Sequence, residues 1–389
     1  MRLLAVFLKS LREQWRDKLA LSLTLVFAPC MVFLYWLFFP GGSTTYAVLV
    51  LNNDVPVQME GGATLSGGKD VVDAIKHVTY ADAKPLLVTH PVGTRSEAEV
   101  RLRNHDGNML LIIPPDFSRT MLATTSSAEP ASSTVTFVGD LTNTYYAPVA
   151  VMVGAAVDEY VQAVIGLPRP VVLKEEPLQG SGARSEFENY VPGLLVFAVI
   201  MLVFQASMVV VAEVEAGTLR RLQLTRMTSL DLLGGTGAAL VLVGILSLLL
   251  AFAAAVALGF HSQGPLWVAI AVGALTSLSV IGVGLMVACF SRTVNQAFLI
   301  ANFPLAIFMF FSGSAFPMPR ITLFYLGGHS IGLYDILPPT HAVTALHKVL
   351  TLGRGLGDVL YEMTALVILS LVFFAAGVWL FQRTHLKAS

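Results

Sequence analysis

Six runs of about twenty apolar residues punctuate this chain of 389 residues, each long enough to cross a bilayer's hydrocarbon as a helix. They cover 19–39, 191–212, 232–258, 266–290 and 295–316, with a last apolar core at 363–381 inside a segment of 357–382. Composition agrees. Only 13% of residues are charged, about half the ~25% of a soluble domain. The first run is too long for a cleaved leader's apolar region, and Phe38-Phe39-Pro40 is no small-residue cleavage site, so it is expected to remain as an anchor. Cys30 and Cys289 both lie in apolar runs, and two such cysteines offer neither a disulfide framework nor a thiolate metal site.

Basic residues in short loops set the expected orientation. Arg2, Lys9, Arg12, Arg16, Lys18, Arg220, Arg221, Arg226, Arg292, Arg383 and Lys387 give eleven on one side, against Arg320, Lys348 and Arg354 on the other. Both termini are therefore predicted in the cytoplasm and the long segment 40–189 outside it. That segment mixes signals. Strands are predicted at 46–51, 109–113 and 135–138, and helices at 71–76, 96–103 and 147–165. About 150 residues can bury one core, read here as α+β, with Gly180 and Gly182 as a hinge into the second span. His77, His90 and His105 show no metal-ligand spacing. No G-x-S-x-G nucleophile motif occurs.

The apolar cores of the six runs hold no Asp, Glu, Lys, Arg or His. Ion-coupled transporters commonly place such groups near the midplane, so an ion-coupled pump and an intramembrane enzyme are both disfavoured. No G-x-x-x-x-G-K-[ST] phosphate loop is present, and no basic stripe with interleaved aromatics suggests a nucleic-acid partner. Uncharged polar groups do occur: Gln205, Ser207, Asn302 and Ser312. They serve either helix–helix hydrogen bonding or a substrate path lined also by Phe197, Phe204, Phe303, Phe308 and Phe311. Gly234, Gly235, Gly237, Gly282 and Gly284 are expected at close helix contacts.

The stretch 213–230 begins where the second run ends. Leu219, Leu222, Met227 and Leu230 share one arc of a helical wheel, predicting a short amphipathic helix along the membrane face. Its pattern, E-x-E-x-G-T-L-x-x-L-x-x-T, closely resembles the cytoplasmic loop of ABC-2 type exporter permeases. Arg292-Thr-Val-Asn-Gln-Ala297, Ser312-Gly-Ser-Ala-Phe-Pro317 and Leu337-Pro-Pro-Thr-His-Ala342 resemble later family segments in the same order. Ile113-Pro-Pro-Asp-Phe-Ser118 is similar to a segment of the outer domain in members that carry one.

The resemblance implies a multi-pass permease of a bacterial inner membrane, paired with a second permease, identical or paralogous, and with two separate ABC ATPase subunits. ATP and Mg²⁺ would bind those subunits and no cofactor would bind this chain. The helix at 213–230 would be the coupling helix, with Glu213, Glu215, Gly217, Thr218, Leu219, Arg220, Arg221, Leu222 and Thr225 facing the ATPase, and 1–18 an elbow helix at the surface. The family's second and fifth spans line the path, which singles out Phe204, Gln205, Asn302 and Phe303. Residues 317–356 would form short re-entrant helices, where the spacing of His341 and His347 argues against a metal. The expected activity is export of an amphipathic, lipid-like or drug-like substrate. Two alternatives are an export permease with fewer late spans, which lacks the Glu213 motif, and a membrane-anchored receptor or scaffold with an outer sensing domain.

Overall fold

The computed structural model describes residues 2–38, 45–59, 62, 64–80, 83–104, 106–126, 132–140, 143, 145–166, 186–217, 228–316, 321–326 and 329–386. The chain divides into two compact units, Met1–Gly41 with Pro177–Ser389, and Gly42–Glu176.

The first unit is helical. Helix α1 (Arg2–Arg16) buries Val6, Ser10 and Gln14, spaced four apart on one stripe. Helix α2 (Lys18–Phe38) follows at once, its 21 residues spanning about 31 Å. Helices α7 (Glu186–Ile200) and α8 (Leu202–Glu215) form one rod whose ladder tightens at Met201 into a three-residue turn. Then come α9 (Ser229–Ala257), α10 (Leu266–Cys289) and α11 (Val294–Phe311). Strands β7 (Thr322–Leu326) and β8 (His329–Gly332), helix α12 (Pro338–Leu346) and helix α13 (Leu360–Phe381) complete the unit.

Six described helices are long and apolar enough to cross a membrane. Five of them lie at the second to sixth apolar runs, and the sixth, Tyr146–Ile165, belongs to the other unit. There it buries Val149, Val153 and Ala156 in a soluble-type core and exposes Asp158 and Glu159. Helix α2 occupies the first apolar run. The second run is longer than expected, starting at Glu186 rather than Val191. The fifth is shorter, because Ser312 caps α11 and Gly313 turns away at φ +80°. Segment 317–356 is not wholly helical. The alternating, β-branched and aromatic Ile321-Thr-Leu-Phe-Tyr-Leu326 favours a strand, and β7 pairs antiparallel with β8.

Helix α10 is the centre of the unit. Small residues let its neighbours approach backbone to backbone: a Cβ at Gly282 would stand 2.5 Å from the Phe373 carbonyl carbon, and one at Gly377 would stand 2.6 Å from the Gly282 carbonyl oxygen. On another side Gly284 meets Ala206 of α8. Hydroxyls join the seam, with Ser279 and Ser370 2.6 Å apart.

The second unit corrects the α+β expectation. Its main sheet has the order β4-β1-β5-β6, with β1 (Tyr46–Asn52), β4 (Leu87–Pro91) and β5 (Met109–Ile113) parallel and β6 (Thr136–Val138) antiparallel to β5, while β2 (Val57–Gln58) and β3 (Thr64–Leu65) form a separate antiparallel pair. Helices α3 (Gly67–Lys76) and α4 (Arg95–Arg103) make the crossovers, so this is a layered α/β unit. One face carries α3, α5 (Phe117–Ser126) and α6 (Tyr146–Ile165) over Val48, Val50, Met109 and Leu111. The other carries Ala98 and Leu102 of α4 over Leu49 and Leu110. Burial on both faces explains the unbroken apolar strands.

Ile113-Pro-Pro-Asp-Phe-Ser118 gains a physical role here. Ile113 and Phe117 are core residues, and buried Ser118 donates from its backbone N to Asp54 Oδ1 at 2.8 Å and from its Oγ to Asp54 Oδ2 at 2.6 Å. The same carboxylate accepts from Gly68 N at 2.8 Å, so one negative charge faces the starts of both α3 and α5. Asp54→Ala is expected to destabilise this unit by about 2 kcal/mol. Limited proteolysis of the full chain should then cut within 42–176 severalfold faster; an unchanged rate would remove the brace from the account.

Candidate functional site

Three chain segments meet where α8 ends. Glu213 pairs with Lys9 of α1, which also lies 3.4 Å from Glu13. About two helical turns earlier in α8, Gln205 Nε2 donates to Gln14 Oε1 at 3.1 Å, and next to Lys9 on α1, Ser10 Oγ lies 3.1 Å from Thr236 Oγ1 of α9. Two residues on, the exposed Glu215 accepts from Val294 N at 3.0 Å. Val294 opens α11, whose unpaired N–H groups and positive dipole end favour a carboxylate. Thr293 caps the same end by accepting from Gln296 N. Gly217 then takes φ +67°, a left-handed conformation that stops α8 at little cost. At the other side of the loop, Thr228 and Asp231 form a reciprocal capping box that starts α9.

Both acidic residues of the pattern are thus engaged inside the chain, and both belong to the end of α8 rather than to a separate helix. Thr218, Leu219, Arg220, Arg221, Leu222 and Thr225 lie outside the described residues. Burial opposes the Lys9 ammonium, but the hydrogen bond and charge of Glu213, with help from Glu13, outweigh it and raise its pKa above the ordinary lysine value. A raised lysine pKa stabilises the fold fully below the unfolded value and fades only as pH climbs through the folded one. The clasp is therefore complete at neutral pH.

The six residues expected to line a path do not share one surface. Phe197 and Phe308 are buried in the helical core. Gln205 is also buried, turned toward α1, and its Oε1 has no hydrogen-bond partner among the described residues. Phe204 stacks on Phe298 with ring centres 4.9 Å apart, locking α8 to α11. Asn302 and Phe303 face away from this chain: Phe303 is 74% exposed, and Asn302 Nδ2 donates back to Phe298 O at 2.8 Å. Leu299, Phe303 and Phe310, four and seven residues apart, make an uncovered apolar stripe on α11.

At the opposite end, a cavity of about 700 Å³ opens between the start of α7, the exit of α11 and α12, lined among others by Tyr190, Ser312, Tyr334, Asp335 and Lys348. His341 Nε2 donates to the Asp335 carbonyl at 2.8 Å, fixing the loop before α12. The one buried carboxylate of the last span lies just before its apolar core of 363–381, which itself holds no ionisable residue. Helix α13 begins upstream of 363 and buries Glu362, which accepts from Lys348 Nζ at 2.7 Å while its Oε2 has no partner among the described residues.

A family model described as ABC-2 family transporter protein matches residues 19–379, running through both units. The chain belongs to the ABC-2 transporter family. No curated protein matches it. It is a permease, a multi-pass membrane subunit of a kind that associates in general with ABC ATPases.

Lys9, Gln14, Lys348 and Glu362 were not legible as partners in the permease sequence, because each pair joins residues distant along the chain or flanking an apolar run. Only the position of Glu213 and Glu215 just past a span hinted that something must neutralise them. Lys348→Met should strand a buried carboxylate and cost about 3 kcal/mol. Lys348→Met with Glu362→Leu should recover most of that loss. Thermal unfolding in detergent measures both, and an undisturbed single variant would count against the pairing. Lys9→Glu should likewise lower stability by about 1 kcal/mol, with Lys9→Glu/Glu213→Lys restoring it.

Proposed function

We propose that this permease exports an amphipathic or lipid-like substrate, driven by two copies of a separate ABC ATPase, in a bacterial inner membrane with a second permease copy. In this reading both termini are cytoplasmic and the Gly42–Glu176 unit lies outside the cell membrane. The observation that carries it is the clasp around the loop 216–228. One end of that loop is held to α1 through Glu213 and to α11 through Glu215, and the other end starts α9 directly. A push on Leu219, Arg220, Arg221 or Leu222 from an ATPase would reach α8 and α9 through the chain itself and α1 and α11 through short, charged links. The uncovered stripe Leu299, Phe303 and Phe310, with Asn302 beside it, supplies an apolar surface for the second permease or the substrate path. Apolar spans with their ionisable groups only near the ends suit a cargo that partitions into lipid.

Two variants separate contact from coupling. Leu222→Asp or Arg220→Glu should abolish co-purification with the partner ATPase. Glu215→Ala should leave the ATPase bound but reduce transport-coupled ATP turnover several-fold, since the loop would no longer pull on α11. Reconstituted vesicles with both subunits measure the turnover. If Leu222→Asp and Arg220→Glu both leave binding and turnover intact, the loop is not the coupling element.

A further inference from the structure

A second cavity, of about 620 Å³, lies at the corner where α1 meets α2, and the proposed transport route does not use it. Its walls are Leu11 and Trp15 of α1, Leu21 in the first turn of α2, and Leu242 and Leu246 of α9. Leu242 and Leu246 are one turn apart and 45% and 41% exposed, so the chain leaves them uncovered. Trp15 is 73% exposed. Arg12 and Arg16 stand at the rim, also one turn apart. Neither guanidinium forms an ion pair or hydrogen bond with any described residue.

Charge and depth decide what fits. Because α2 begins at Lys18 and spans about 31 Å, its first turn marks one edge of the hydrocarbon, and the groove shares that level through Leu21. An occupant must therefore present apolar length along Leu21, Leu242 and Leu246 and negative charge to two guanidiniums at the edge. Residues 9–18 hold Lys9, Arg12, Arg16 and Lys18 against Glu13 and Asp17, and Glu13 is drawn toward Lys9. Side chains at i and i+4 lie ~5–6 Å apart at Cβ, so two forked guanidiniums can grip one phosphodiester. Trp15 suits the headgroup level. We infer that this corner is a resident site for one anionic diacyl phospholipid, its phosphate held by Arg12 and Arg16 and an acyl chain lying in the groove. Such a lipid would brace α1, and with it Lys9 and the clasp at Glu213. The site is independent of the transported substrate and of ATP.

The full chain, purified in a neutral detergent and offered phosphatidylglycerol or phosphatidylcholine of identical chains, tests this by native mass spectrometry. One phosphatidylglycerol should be retained in preference to phosphatidylcholine. Arg12→Gln/Arg16→Gln should weaken that retention about thirty-fold, equivalent to ~2 kcal/mol at 1.4 kcal/mol per decade, whereas Arg12→Lys/Arg16→Lys should keep most of the preference. Leu246→Trp, which fills the groove without touching the charges, should lower retention of both lipids. Equal retention of the two lipids by the unaltered chain overturns the site. So does a preference that survives loss of both arginines, or binding indifferent to Leu246→Trp.

Discussion

Close approach of backbones around α10 is the constraint on which the helical unit rests. Lipid tails are as apolar as leucine, so burying leucine against leucine gives little net attraction inside a bilayer. What remains is van der Waals contact at short range and hydrogen bonding. Gly282 and Gly377 supply the first by removing the side chains that would hold α10 and α13 apart, and Ser279 with Ser370 supplies the second in the same seam. On a neighbouring face Gly284 lets α8 settle against α10. Helix α8 then holds Phe204 against Phe298 of α11. Helix α1 rests on α9, where a Cβ at Gly235 would stand 2.7 Å from Val6 Cβ.

Charged groups are confined to the ends of this packed bundle among the described residues, and each end has its own character. At the α1 end, carboxylates on α8 are neutralised by an ammonium and by a helix N-terminus, in surroundings open enough that each link is worth about 1 kcal/mol. Links of that strength hold a geometry yet can be exchanged, which suits a lever. At the opposite end, Glu362 is 5% exposed at its side chain and Lys348 is 35% exposed. Removing either partner of such a pair costs far more than the pair contributes, which suits a fixed anchor for α12 and α13.

The amino-acid sequence by itself determined the apolar runs, because about twenty consecutive apolar residues have few other fates than a helix in lipid. It also carried the family pattern, since the E-x-E-x-G-T-L stretch and Ile113-Pro-Pro-Asp-Phe-Ser118 are local strings. Sequence periodicity located β1, β5, α3, α4 and α6 of the inserted unit within a few residues. It missed β4 and α5 and misjudged the class, because parallel pairing joins strands through crossovers and leaves no local mark. Tertiary structure alone decided which polar groups meet. Lys9 and Glu213 are 204 positions apart, and Gln205, whose place in a span suited either helix–helix hydrogen bonding or a path, bonds to Gln14 of α1. Local strings fix what a segment can become; only the three-dimensional packing sets which side of each helix is left for a partner, because that depends on neighbours the string does not contain.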